Sequence, residues 1–210
     1  YRMQNPYWIA YRNLRLNQKK RYMLSAQLSY DITDWLNISG RVRVDNTHTK
    51  YEQKLYASSN LTITEESTQG HYTISKPDET QTYADVLANI NKRFNDFSLV
   101  ANVGASIVNN RYEDLSYRGP IREKGIPNVF NVFDLDNTKK KARQDEWQEQ
   151  TQSIFASVEV GWKSMLYLTL TGRNDWASQL ANSSTPCFFY PSVGLSGVIS
   201  EMLTLPEFID

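Results

Sequence analysis

The sequence predicts an all-β chain of antiparallel up-and-down strands forming part of a transmembrane β-barrel, with about seven strands, short turns at one end and long loops at the other. Three observations lead there. Apolar and polar residues alternate with period two through several separate stretches, which gives a strand one greasy and one polar face. Tight turns alternate with long polar connections, an asymmetry found in membrane barrels. Large aromatic residues gather beside the tight turns (Tyr30 and Trp35, Phe94 and Phe97, Trp162 and Tyr167), where an amphipathic ring suits a membrane–water interface.

The elements follow in order. Tyr1–Lys20 is polar, contains Pro6 and reads as a loop. Near 20–32, Tyr22, Leu24, Ala26, Leu28 and Tyr30 alternate with Arg21, Ser25, Gln27 and Ser29. Asp31–Asp34 connects this strand tightly to a second near 35–47, where Leu36, Ile38, Gly40, Val42 and Val44 oppose Asn37, Ser39, Arg41, Arg43 and Asp45. Thr47–Thr80 is rich in Ser, Thr, Glu and Gln and reads as a long loop, with room for a short hairpin through Tyr72–Ile74. Strands near 81–93 and 97–110 share a turn at Asn95-Asp96. A second long connection, Asn110 to about Glu149, holds turn residues over Gly119–Asn128 too densely for regular structure. Its basic run Lys139–Arg143 reads as a solvated face. Strands near 150–163 and 165–176 meet at Lys163-Ser164, and a last one lies near 188–200.

The polar faces do not choose an architecture. Arg41, Arg43 and Asp45 stand about 6.5–7 Å apart along one face. They suit the wet side of a soluble sandwich or the lumen of a large barrel equally. Seven strands with open edges cannot cross a bilayer alone, because lipid leaves a bare backbone unsatisfied. The barrel reading therefore makes the chain, which opens at Tyr1 with no signal peptide, an excerpt.

Composition narrows the classes. Among 210 residues, 23 acidic and 23 basic side chains cancel, which gives no support for nucleic-acid binding. Mean hydropathy is −0.56, and no apolar run approaches the ~20 residues of a membrane helix. A barrel strand needs only ~10 residues with every second one apolar, so its signal averages away. Cys187 is alone and forms no intrachain disulfide.

No chemistry stands out, and neither a catalytic residue nor a cofactor is expected. His48 and His71 share a polar stretch with Glu52, Glu65 and Glu66 but lack a short-spaced zinc motif, so no metal site is expected. Asp134–Asn137 lacks the closing glutamate of a calcium loop and reads as a turn. No serine or cysteine sits in a nucleophile elbow.

TGRNDWAS (Thr171–Ser178) followed by FFYPSVGLSGVISE (Phe188–Glu201) resembles a barrel segment of the SusC/RagA family of TonB-dependent outer-membrane transporters. Ala177 stands where serine is usual, and Gly197 where a bulky residue is usual. YDITDWLNISGRV (Tyr30–Val42) resembles the same family's turn, and Asn5-Pro6-Tyr7-Trp8 resembles one of its extracellular elements. The resemblance implies a large barrel, about 22 strands, of which residues 1–210 are a part. The plug domain and TonB box are absent from this chain. It implies a Gram-negative outer-membrane location, import of oligosaccharides or peptides with energy from TonB, and a SusD-like surface lipoprotein as partner. The tight turns would then be periplasmic and the long loops extracellular. Tyr7, Trp8, Tyr112 and Tyr117 in those loops suit stacking on substrate or partner, by residue type alone. The alternative is a soluble β-sandwich module that binds carbohydrate or protein.

Overall fold

Period-two alternation with β-branched and aromatic residues makes most of this chain strand. The computed structural model describes residues 4–202. Met202–Asp210 reads in the sequence as leading through the next periplasmic connection, and from residue 203 on this stretch lies outside them. The order is α1 (Pro6–Arg12), β1 (Asn13–Thr33), β2 (Leu36–Tyr56), β3 (Gly70–Ser75), β4 (Asp78–Phe94), β5 (Phe97–Pro120), β6 (Lys141–Trp162), β7 (Leu166–Ala177), β8 (Cys187–Gly197) and α2 (Ile199–Met202). They form one eight-stranded sheet in the order β1-β2-β3-β5-β6-β7-β8, with β4 also pairing β2 and β5.

The expected count was seven, and the eighth strand has a simple cause. β3 and β4 have the same two neighbours, β2 and β5. Lys76-Pro77 separates them, and proline cannot donate to a ladder. The break is bridged: Thr49 N–H donates to the Pro77 carbonyl at 2.9 Å, and Asp114 Oδ1 accepts from Lys76 N–H at 3.1 Å.

Contacts divide the chain into two units. The first holds the residues up to Met23, Asp45–Thr80 and Arg111–Gln148; the second holds Leu24–Val44, Gln81–Asn110 and the residues from Glu149.

In the second unit the alternation works as predicted. β7 pairs antiparallel with β6 and β8, so that Val160, Leu168 and Leu195 form one lateral row, and Val158, Leu170 and Val193 another. These rows are not covered. Leu168 is 40 % exposed, Val193 73 % and Leu28 83 %. A soluble sandwich needs them packed under a second layer, and none lies on them among the described residues. That alternative is overturned. The opposite face is polar: the Thr169 hydroxyl donates to Glu159 at 3.2 Å, and Arg41 Nε to Asp85 at 2.8 Å. Two of the three tight turns fall where expected, at Asn95-Asp96 and Lys163-Ser164; the first, expected over Asp31–Asp34, is corrected to Asp34-Trp35, because β1 runs on to Thr33 before β2 starts at Leu36. Asn95, Lys163 and Ser164 take positive φ, and Met165 N–H closes on the Trp162 carbonyl at 2.9 Å. Two successive left-handed residues are the twist a two-residue hairpin requires. The Lys92 ammonium lies 4.8 Å from the Trp35 ring and Lys163 5.4 Å from Trp162, each a cation beside an exposed aromatic.

In the first unit the expected loops are corrected. The supposed loop Tyr1–Lys20 contains α1 and the start of β1, and Thr47–Thr80 carries the end of β2 and all of β3. Asn110–Glu149 carries the end of β5 and the start of β6. These ribbons are polar on both faces, so they show no alternation, and backbone pairing alone defines them. β2, β3 and β5 register as Leu55↔His71↔Pro120 and Gln53↔Thr73↔Arg118. The residues after β5 fold back. Ile121 and Leu135 form an isolated bridge and are each 1 % exposed. Ile121 N–H donates to the Gly70 carbonyl at 2.9 Å, and the Ser67 hydroxyl to the Ile121 carbonyl at 2.7 Å.

Gly70 starts β3 at φ +115°, and a Cβ there would stand 2.6 Å from the Leu55 carbonyl oxygen. Gly70→Ala is expected to cost roughly 1–3 kcal/mol. Limited proteolysis across 57–75 checks it, and an unchanged cleavage rate contradicts it.

Candidate ligand-contacting surface

Asn5-Pro6-Tyr7-Trp8 is a helix start. The Asn5 side chain accepts from Tyr7 N–H at 2.9 Å, and Pro6 takes a first-turn position where its missing N–H costs nothing. Tyr7 is 77 % exposed. Trp8 Nε1–H donates to the Ser59 hydroxyl at 3.0 Å. The Arg12 guanidinium lies 5.9 Å from the Trp8 ring and 5.0 Å from the Tyr56 ring. Phe130 continues the cluster, 5.0 Å from Tyr56 and 6.0 Å from Tyr72. Trp8 was expected from sequence. Arg12, Tyr56 and Phe130 were not, since they meet only through β2 and the fold-back after β5.

Tyr112 and Tyr117 are not brought together. They lie five residues apart on β5 and so face opposite sides of it. Tyr112 stacks on Trp147 at 5.5 Å and 12°. Tyr117 pairs with Ile74 on the face that also carries Tyr72. On that face the Tyr72 hydroxyl, buried, donates to Glu52 at 2.7 Å, and Lys50 stands 3.1 Å from the same carboxylate. Burial pushes the Tyr72 phenol well up, and its bond to Glu52 adds to that. The same bond first, and then Lys50, holds the Glu52 carboxyl below its ordinary value against burial.

The other face of this ladder carries a cleft of about 690 Å³. Gln53, Thr73 and Arg118, neighbours in the register, line it with Arg15, Glu65 and His71. Glu65 Oε1 stands 3.5 Å from Arg118 and 3.6 Å from His71 Nε2. His71 is 6 % exposed, and its buried Nδ1 has no hydrogen-bond partner. Burial lowers the His71 pKa from the ordinary 6.5, Glu65 opposing and Arg118 assisting. No sequence signal marked the cleft, because its residues come from five separate stretches. His48 is not part of it; it pairs with Asp78 at 3.2 Å.

The titration has a consequence. His71 takes up its proton more readily unfolded than folded, so its contribution is complete above pH 6.5 and is lost as pH falls below that toward its lowered folded value. Glu52 acts with the same sign from its ordinary 4.5 downward. The first unit is therefore expected to loosen on acidification from pH 7.5 to 5, with His71→Gln removing the earlier onset. Amide exchange over 70–75 reports it; exchange that, after correction for intrinsic rates, is equal at both pH values contradicts it.

In the second unit the sheet is apolar and uncovered on one face and polar on the other, which defines a piece of membrane β-barrel wall. The chain belongs to the TonB dependent receptor-like β-barrel family, whose family model matches residues 1–199, and its place is the outer membrane. No curated protein matches the sequence. Among solved structures it is similar to the RagAB peptide transporter, with TM-score 0.78 and 15 % identity over 97 % of this chain and 22 % of that one. The RagAB peptide importer in its open-open state gives TM-score 0.70 and 16 % identity, over 92 % and 21 %. The siderophore receptor PiuA from Acinetobacter baumannii gives 0.52 and 14 %, over 88 % and 30 %. The chain thus spans about a fifth of the length of the RagAB chains, and the likeness is one of fold.

Proposed function

We propose that this chain forms part of the wall and outer loops of an active importer of the outer membrane, which takes up oligosaccharides or peptides with energy from TonB. The observation that carries the reading is the two-sided sheet of a family whose members reside in that membrane. A SusD-like surface lipoprotein would meet the loops from outside, and a plug elsewhere in the protein would couple to TonB. Fold likeness to the RagAB peptide transporter supports the peptide branch of this reading. The test is uptake of a fluorescent tripeptide and a fluorescent linear oligosaccharide by cells with and without the gene. Uptake that needs both the gene and an energised inner membrane is expected. Equal uptake in the deletion strain, or uptake that survives collapse of the proton-motive force, overturns it.

Tyr7, Trp8, Tyr112 and Tyr117 are proposed to contact substrate or partner. Replacing Tyr112 and Tyr117 together with alanine is expected to lower uptake about three- to tenfold, the worth of one aromatic contact. Unchanged uptake and partner binding remove these two from the surface.

A further inference from the structure

We propose that the cleft on the first unit binds the free carboxylate end of a short peptide; the import reading above supplies only the source of that peptide. Its charge is unbalanced. Arg118 shares Glu65, while Arg15 lines the cleft with no ion-pair partner among the described residues. A guanidinium grips a carboxylate through two parallel N–H donors, a geometry matched to this charge.

His71 closes one side of the cleft, its Nε2 facing Glu65. Ile9, Leu55 and Ile63 give the cleft an aliphatic wall for the last side chain, and among the described residues no Phe, Tyr or Trp lines it to stack on a sugar. A volume near 690 Å³ suits a ligand of a few residues.

The experiment uses the full-length protein purified in detergent, with a fluorophore-labelled Ala-Ala-Leu peptide in its free-acid and C-terminal amide forms. The amide is expected to bind roughly tenfold or more weakly, the worth of a charge-assisted contact. Arg15→Gln, a change at an exposed strand position, is expected to erase that preference. Equal binding of acid and amide, or no binding of either, overturns the proposal. So does a uronic-acid oligosaccharide that competes as well as the peptide, since the ligand is then an acidic sugar. Binding without uptake sinks the import reading and leaves the cleft standing. Uptake with no preference for the acid does the reverse.

Discussion

Leu170→Arg is expected to block assembly of the protein in its membrane. Leu170 lies midway along β7, with Val158 and Val193 beside it in the register. All three belong to the uncovered apolar face, so the arginine head would project into hydrocarbon. A cation on the lipid side near the bilayer midplane costs roughly 2–4 kcal/mol, a large part of the 5–15 kcal/mol that stabilises an ordinary domain. The neighbouring residue is the control. Thr171 points the other way, between Ser157 and Ser192, where a charge meets a polar surface. Thr171→Arg is expected to be nearly neutral. Migration of unboiled protein in gels reports the folded fraction. Equal folded fractions for the two variants would mean that the apolar rows do not face lipid.

The same contrast explains how much was legible. In the second unit lipid takes the place of a core, so every inward–outward choice is written into the chain as alternation, and Leu24/Leu28 or Leu166/Leu168 can be read directly. Its charges were ambiguous alone. The structure pairs Arg41 with Asp85 and Arg43 with Gln81 on the neighbouring strand, a partnership that no spacing along β2 reveals. In the first unit both faces are polar and period two carries no information. β2 therefore runs on to Tyr56 and β5 to Pro120 through residues that read as loop. The Asn5 cap and Pro6 were a helix start in plain view, passed over because the segment is short. The cleft was out of reach for another reason: Gln53, Thr73 and Arg118 become neighbours only once the registers of three strands are known.

Ile121→Ala is expected to have the second large effect, by the opposite mechanism. Ile121 is buried in protein rather than facing lipid, and its truncation leaves a cavity that nothing fills. Such changes cost about 2–5 kcal/mol when the surroundings cannot collapse. Collapse is resisted here, because the Ile121 backbone is held on both sides by Gly70 and Ser67, and Asp136 N–H donates to the Pro120 carbonyl at 2.9 Å. The expected result is fast amide exchange and cleavage across 121–140. Val193→Ala on the uncovered face removes two carbons but leaves no void, since acyl chains close over the site, and it is expected to cost only their transfer, about 1.5 kcal/mol. Protection over 121–140 that survives Ile121→Ala would mean that hydrogen bonds alone hold the fold-back. The cleft lies in the same unit, on the β3 ladder that Ile121 anchors through Gly70, so acid-over-amide peptide preference should fall together with that protection.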